Sequence, residues 1–212
     1  MANQSQTSIT IGNVVKQARI KYEELMQSDY IAIETRIDGV HSRGQSKEAD
    51  SIYSTQDKNS KLMTCLLDID VHRGSLVEMK SDENDEDFSV KGIVTSIPNT
   101  TPVDKYFTVL FFNTEITRKR KGYQYNSDGD VVSDDAEYIE NIPCYIERVG
   151  MRERQVNVGI ERNSVNKLIA HKSWDIKKDD VLYVGDNSYR ITDIEELEED
   201  MLTAYMTFYR EK

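Results

Sequence analysis

Short runs in which apolar and polar residues alternate fill much of this chain, and they come in two sets. Alternation of this kind reads as half-buried β-strands, because successive side chains of a strand point to opposite faces. In the first set, Asp70-Val71-His72-Arg73-Gly74-Ser75-Leu76-Val77 leads into Gly92-Ile93-Val94-Thr95-Ser96-Ile97 and then Phe107-Thr108-Val109-Leu110-Phe111-Phe112. In the second, Asp175-Ile176-Lys177-Lys178-Asp179-Asp180-Val181-Leu182 leads into Tyr189-Arg190-Ile191-Thr192-Asp193-Ile194 and Ala204-Tyr205-Met206-Thr207-Phe208-Tyr209. An aspartate, a polar turn, a short strand and a hairpin return form the pattern of a small antiparallel barrel or sandwich. Its recurrence about a hundred residues on predicts two related modules.

A different period opens the chain. Within Ile9 to Met26, the residues Ile11, Val14, Val15, Ala18, Tyr22, Leu25 and Met26 fall on one helical stripe, with Thr10 or Asn13 placed to cap it. Lys16, Arg19, Lys21, Glu23 and Glu24 lie on the wet side of this amphipathic helix. The next stretch, to Ser60, is polar, with a strand embedded at Tyr30 to Ile37. Gly39 to Ala49 holds too few apolar residues to pack, so Arg43, Gly44, Gln45, Ser46 and Lys47 are expected in a mobile loop.

The expected divisions are 1–60 for the helix and polar segment, 61–117 for the first β module, 118–136 for a connector and 137–212 for the second module. In the connector, Asn126-Ser127-Asp128-Gly129 between alternating runs predicts a tight hairpin. Ile142 to Val149 and Arg154 to Ile160 read as paired strands around Gly150, and Trp174 as an anchor of the second core. The fold class is therefore mainly β: two related small antiparallel β-barrel or sandwich modules with an N-terminal amphipathic helix.

Charge narrows the function. Thirty-eight acidic against 27 basic residues leave a net charge of −11, which gives phosphate-backbone binding little overall support. No stretch matches a membrane span or the pattern of a signal peptide, so no membrane partner is expected. Arg118, Lys119, Arg120 and Lys121 make the one concentrated basic run, readable as a solvated strand edge, a contact to a carboxylate-rich neighbouring subunit, or a nucleic-acid contact. They are carried forward as candidate subunit contacts.

Ser81 to Asp87 and Glu195 to Asp200 read as acidic, solvated connections at the same hairpin of both modules. A calcium loop at Ser81 to Asp87 would need alternating ligands, a central glycine and a distal glutamate, and that stretch has no glycine. Asn126, Asp128 and Asp130 alternate like calcium ligands, but Val131 takes the place of the sharp-turn glycine, and the turn reading prevails. Cys65 and Cys144 fall in apolar runs and are expected as reduced core residues. The three histidines, His41, His72 and His171, stand in separate segments, away from any nucleophile pattern. With no phosphate loop, zinc helix or paired-cysteine motif, neither catalytic nor metal residues nor a cofactor are expected, and an enzyme would need scattered carboxylates to converge.

The order seen from Asp175 to Val181, followed by Tyr189-Arg190-Ile191-Thr192-Asp193-Ile194, resembles the head-closure and head-tail connector (neck) proteins of tailed bacteriophages. The resemblance covers Ile142 to Lys212 best and Leu62 to Asn113 more loosely. It implies a barrel subunit that forms a homo-oligomeric ring under the portal. Such a protein is a structural virion component, assembled in the host cytoplasm, which supports assembly and DNA retention or passage. Portal or adaptor proteins and tail proteins would be its neighbours, and DNA would pass without sequence recognition. Single-barrel members are about half as long, so two modules would make a fused or elaborated variant. The segment Arg43 to Lys47 would correspond to the loop with which stopper proteins occlude a channel.

A physical argument runs alongside the resemblance, since acidic subunits lining a channel let a polyanion slide instead of sticking. The alternatives are another tail or baseplate component, or a small β-barrel binding module whose aromatic cleft the twelve tyrosines would supply.

Overall fold

The computed structural model describes residues 11–28, 31–48, 59–80, 86–122, 124–125, 128, 131–133, 136–156, 160–161, 163–195 and 200–210. Helix α1 spans Ile11–Met26, and the strands that follow are β1 (Ile33–Ile37), β2 (Val40–Glu48), β3 (Ser60–Cys65), β4 (Leu76–Met79), β5 (Val90–Val94), β6 (Asn99–Thr100) and β7 (Lys105–Phe111). Then come β8 (Thr114–Lys121), β9 (Gln124–Tyr125), β10 (Val131–Ser133), β11 (Ala136–Arg148), helix α2 (Met151–Val156), β12 (Asn166–His171), β13 (Val181–Val184), β14 (Asn187–Glu195) and β15 (Met201–Phe208).

The strands close into two six-stranded antiparallel barrels. In the first the order is β3-β2-β1-β4-β5-β7, and β3 pairs back to β7 to shut the ring, with β6 as a short addition. In the second the order is β12-β11-β8-β13-β14-β15, shut by β12 against β15. The two orders are the same when each strand is matched to its counterpart, β1 with β8, β2 with β11, β3 with β12, β4 with β13, β5 with β14 and β7 with β15. One topology is thus used twice, and closure leaves neither barrel with a bare strand edge among these pairings.

Period-two alternation fills both interiors. Phe107, Val109 and Phe111 of β7 point inward with Ile37, Met63, Cys65, Val77 and Val94. Leu202, Ala204 and Met206 of β15 do the same with Ile116, Ile142, Cys144, Leu168, Leu182 and Ile191. Val71 and Ile176, the second residues of the two motif copies, are buried among these cores. Both cysteines are free and buried, as expected, and burial pushes each thiol up to about 12. Trp174 packs against the second core.

Four expectations need correction. Residues 40–48 are strand β2, hydrogen-bonded to β1 and β3, so Arg43, Gly44, Gln45, Ser46 and Lys47 do not form a mobile or channel loop; Ala49 lies outside the described residues. The strand reads as a loop in sequence because it is held through its backbone and its inner wall is thin. At Gly44 a Cβ would stand 2.8 Å from the Thr64 carbonyl. The Arg43 guanidinium donates to the carbonyls of Gln27 at 2.8 Å and Ala32 at 3.4 Å.

The divisions also move. The first barrel begins at Ile33 rather than near residue 61, and residues 118–121 belong to β8 of the second barrel rather than to a connector. Residues 151–156 form helix α2, so Arg154 to Val156, the start of the predicted strand Arg154 to Ile160, are helical; 157–159 lie outside the described residues. Met-Arg-Glu-Arg-Gln are good helix formers, and that local preference wins over the alternation that follows. The two acidic stretches, finally, do not share a hairpin: one joins β4 to β5, the other β14 to β15. Residues 81–85 and 196–199 are outside the described residues, as are Asn126 and Asp130 of the calcium-like alternation. The hairpin around it forms, with Val131 opposite Tyr125.

Helix α1 meets the first barrel through Tyr22 and Met26 near its C-terminal end. Met26 is buried and Tyr22 donates its hydroxyl to Thr64 Oγ1 at 3.0 Å, whereas Val14 and Leu25 on the same stripe are exposed.

Candidate functional site

The doubled motif builds the same turn at the same end of each barrel. The His72 N–H donates to Ser75 Oγ at 3.1 Å, and the Lys177 N–H to Asp180 Oδ2 at 2.8 Å. The Gly74 N–H donates to the Val94 carbonyl and the Asp179 N–H to that of Ile191. Val94 and Ile191 return the bond to the carbonyls of Ser75 and Asp180. Gly74 and Asp179 both take positive φ, 101° and 69°. Ser75 therefore corresponds to Asp180, His72 to Lys177 and Gly74 to Asp179.

Placing a carboxylate where the first turn has a hydroxyl changes the second barrel. Asp180 is buried, and an isolated buried carboxylate would be costly. Arg120 answers it with Nε and Nη2 donating to Asp180 Oδ1 and Oδ2, each at 2.8 Å, and Nη1 donating to Asp175 Oδ2 at 2.8 Å. Such bidentate pairs are the strong form of the interaction. They raise the Arg120 pKa, Asp180 contributing most, while Arg120 holds the Asp175 carboxyl below its ordinary value.

Arg118 is only 1% exposed; its Nη1 donates to the carbonyls of Trp174 at 3.0 Å and Asp175 at 2.7 Å, and its Nη2 lies 3.2 Å from a Glu137 carboxylate oxygen. Arg118 and Arg120 are thus paired within their own barrel, and Arg118 is too deeply buried to serve as the expected subunit contact. The Lys119 Nζ lies 5.7 Å from the Tyr138 ring centroid; the Lys121 side chain is outside the described residues.

The first turn is used differently, as half of the joint between the barrels. His72 Nε2 lies 2.7 Å from Asp200 Oδ2, just ahead of β15, and His72 Nδ1 lies 3.0 Å from Ser75 Oγ. At Gly74 a Cβ would come within 2.9–3.1 Å of Asp200 atoms, so glycine is what admits the Asp200 backbone. Beside this polar contact, Ile93 and Leu110, on the outer wall of the first barrel, pack with Phe112 against Ile169, Tyr145 and Met201 of the second. Asn113 completes the joint, its amide exchanging 2.9 Å hydrogen bonds with the backbone of Ile146. Serine, histidine and aspartate here have the composition of a hydrolytic triad, but Ser75 is 0% exposed and its Oγ already bonds the His72 backbone, so it cannot meet a substrate. Asp200 raises the His72 pKa, and burial lowers that of His171 nearby.

A cleft of about 660 Å³ opens between α1 and the first barrel. Its floor includes Met26, Leu66, Leu67, Ile69 and Val103, and its rim carries Arg19, Glu23, Glu34, Arg43 and Asp68. Among the described residues no group of three His, Cys, Asp or Glu side chains is placed to hold a metal ion.

No family model matches this chain, and no curated protein matches it. What sequence reasoning missed is the contact between the modules. Neither His72 nor Asp200 carries a signal of its own. The substitution of Asp180 for Ser75 within the aligned motif copies, beside a strand with two arginines, was the one available sign that the copies had diverged in role.

Proposed function

We propose that this chain is a structural subunit of a tailed-phage virion, forming a ring at the head-tail joint that supports assembly and DNA retention or passage. The observation that carries the reading is the duplicated barrel. The Asp175–Val181 and Tyr189–Ile194 residues that resemble neck proteins form the β13–β14 hairpin and its turn, and the same turn recurs in the first barrel. The joint supports it too, since it is heterologous: the turn and β5–β7 wall of one barrel meet a different surface of the other. Contacts of that type generate rings when the rotation closes. A net charge of −11 suits a wall past which DNA slides. In this reading the mechanism is assembly and gating, with no chemical step, and portal or adaptor and tail proteins are its neighbours.

Negative-stain electron microscopy of the purified chain tests it. Annular particles with a central opening are expected; dispersed two-barrel particles at every concentration would overturn the reading.

A further inference from the structure

Superposing the two barrels by their shared hydrogen bonds shows which surface of each has no counterpart partner. The Phe112 N–H donates to the Lys91 carbonyl, and the Tyr209 N–H to that of Ser188. With Val94 matched to Ile191, Arg190 takes the place of Ile93, Thr207 that of Leu110 and Tyr209 that of Phe112. The second barrel therefore carries a copy of the wall and turn with which the first barrel grips it. That copy is polar: Lys177, Lys178 and Arg190 are exposed.

The opposite surface repeats as well. Cys65 pairs with Lys105 as Ala170 pairs with Leu202, so the registers place Leu66 at the position of His171, Leu67 at that of Lys172 and Val103 at that of Asp200. Those three residues line the cleft beneath α1.

We infer that the cleft under α1 takes the Lys177–Asp180 turn of a second copy of this chain, repeating between subunits the turn half of the joint that already links the barrels within one. The inference rests on the ring reading and deepens it by naming the contact. Continuity with the turn half of the internal joint supplies the geometry; the wall half is not repeated, because Thr64, at the position of Ile169, already accepts from the Tyr22 hydroxyl of α1. The turn offers Lys177 and Lys178; the cleft rim carries Glu23, Glu34 and Asp68 beside Arg19 and Arg43, and with Glu23 3.3 Å from Arg19 and Glu34 2.8 Å from Lys80, the exposed Asp68 is the carboxylate for a lysine to meet. The polar character follows from exposure before assembly: Ile93 and Leu110 are covered for good in their own chain, whereas a surface that waits for a partner must stay wetted. Asp179 carries a side chain where Gly74 has none, so this second joint cannot close as tightly as the first, and a cleft gives it the room.

Charge reversal separates the outcomes. Sedimentation velocity is run on the wild type, on K177E/K178E, on E23K/D68K and on the chain carrying all four changes, with circular dichroism to confirm folding. Rings from the wild type, monomers from each double variant and rings again from the fourfold variant are expected. Double variants that assemble like the wild type would overturn this contact while leaving the ring reading intact, and α1 would then act as a cap that ends the repeat. A wild type that stays monomeric would overturn both. Should reversal unfold the chain, single-cysteine variants decide: mixing K178C with D68C under mild oxidation is expected to give a covalent dimer that neither yields alone, Cys65 and Cys144 being buried. No dimer from the mixture, with rings present, overturns the contact.

Discussion

Ile37 and Arg118 occupy the same position in the two barrels: Ile37 pairs with Val77 of β4 as Arg118 pairs with Leu182 of β13, and each is 1% exposed. One barrel thus closes its end with an aliphatic side chain and the other with a guanidinium that bonds two carbonyls and neighbours a carboxylate. Truncating a buried side chain to alanine costs about 2–5 kcal/mol through the cavity it leaves, whereas a well-shaped apolar replacement of a buried charge is often close to neutral. Arg118→Ala is therefore expected to lose about that amount, and Arg118→Ile, which restores the sister barrel's residue, less than half of it. Urea unfolding of the two variants checks the ranking; equal losses would contradict it.

Gly74 and Asp179 give a matched pair of substitutions. Gly74→Ala places a Cβ within about 3 Å of Asp200 and forces an L-residue to φ 101°, a strain of about 1–3 kcal/mol. Small-angle scattering should show the joint opening. Asp179→Gly relieves positive φ at an exposed turn and should leave stability equal or slightly higher.

The joint should respond to pH through His72. Asp200, Asp38 and Asp70 all favour its charged form, against partial burial and the nearby His171. Because its folded pKa is raised, the stabilisation is full below the ordinary 6.5 and is lost as pH rises through the folded value. With both side chains about two-fifths exposed, it is worth under ~1 kcal/mol. His171, lowered by burial, acts in the opposite sense, weakening the fold as pH falls. Comparing the melting temperatures of wild type and His72→Gln from pH 5 to 9 isolates His72: the gap should narrow at the alkaline end, and a constant gap would contradict the account.

Both thiols are buried and pushed up to about 12, so neither forms appreciable thiolate at neutral pH. A thiol reagent should label native protein slowly and unfolded protein at two sites per chain. Rapid native labelling at either cysteine would show that its barrel opens.

How much of this was legible beforehand follows from what each strand buries. β7 and β15 announce themselves because Phe107, Val109 and Phe111, or Leu202, Ala204 and Met206, face inward in strict alternation. β8 reads as a charged connector because its next inward position after Ile116 is Arg118, which is buried only because carbonyls and a carboxylate wait for it elsewhere in the chain. β2 reads as a loop because backbone pairing, with Gly44 lying close under Thr64, holds it in place of apolar side chains. The joint was invisible for a related reason. His72 and Asp200 meet across 128 positions, a distance over which pattern and propensity carry no information.

The most direct test of the account is the mass of the wild-type chain by light scattering across a wide concentration range. The account predicts a single closed species at an integer multiple of the 24.5 kDa subunit once assembly sets in. A mass that stays at one subunit throughout would contradict it.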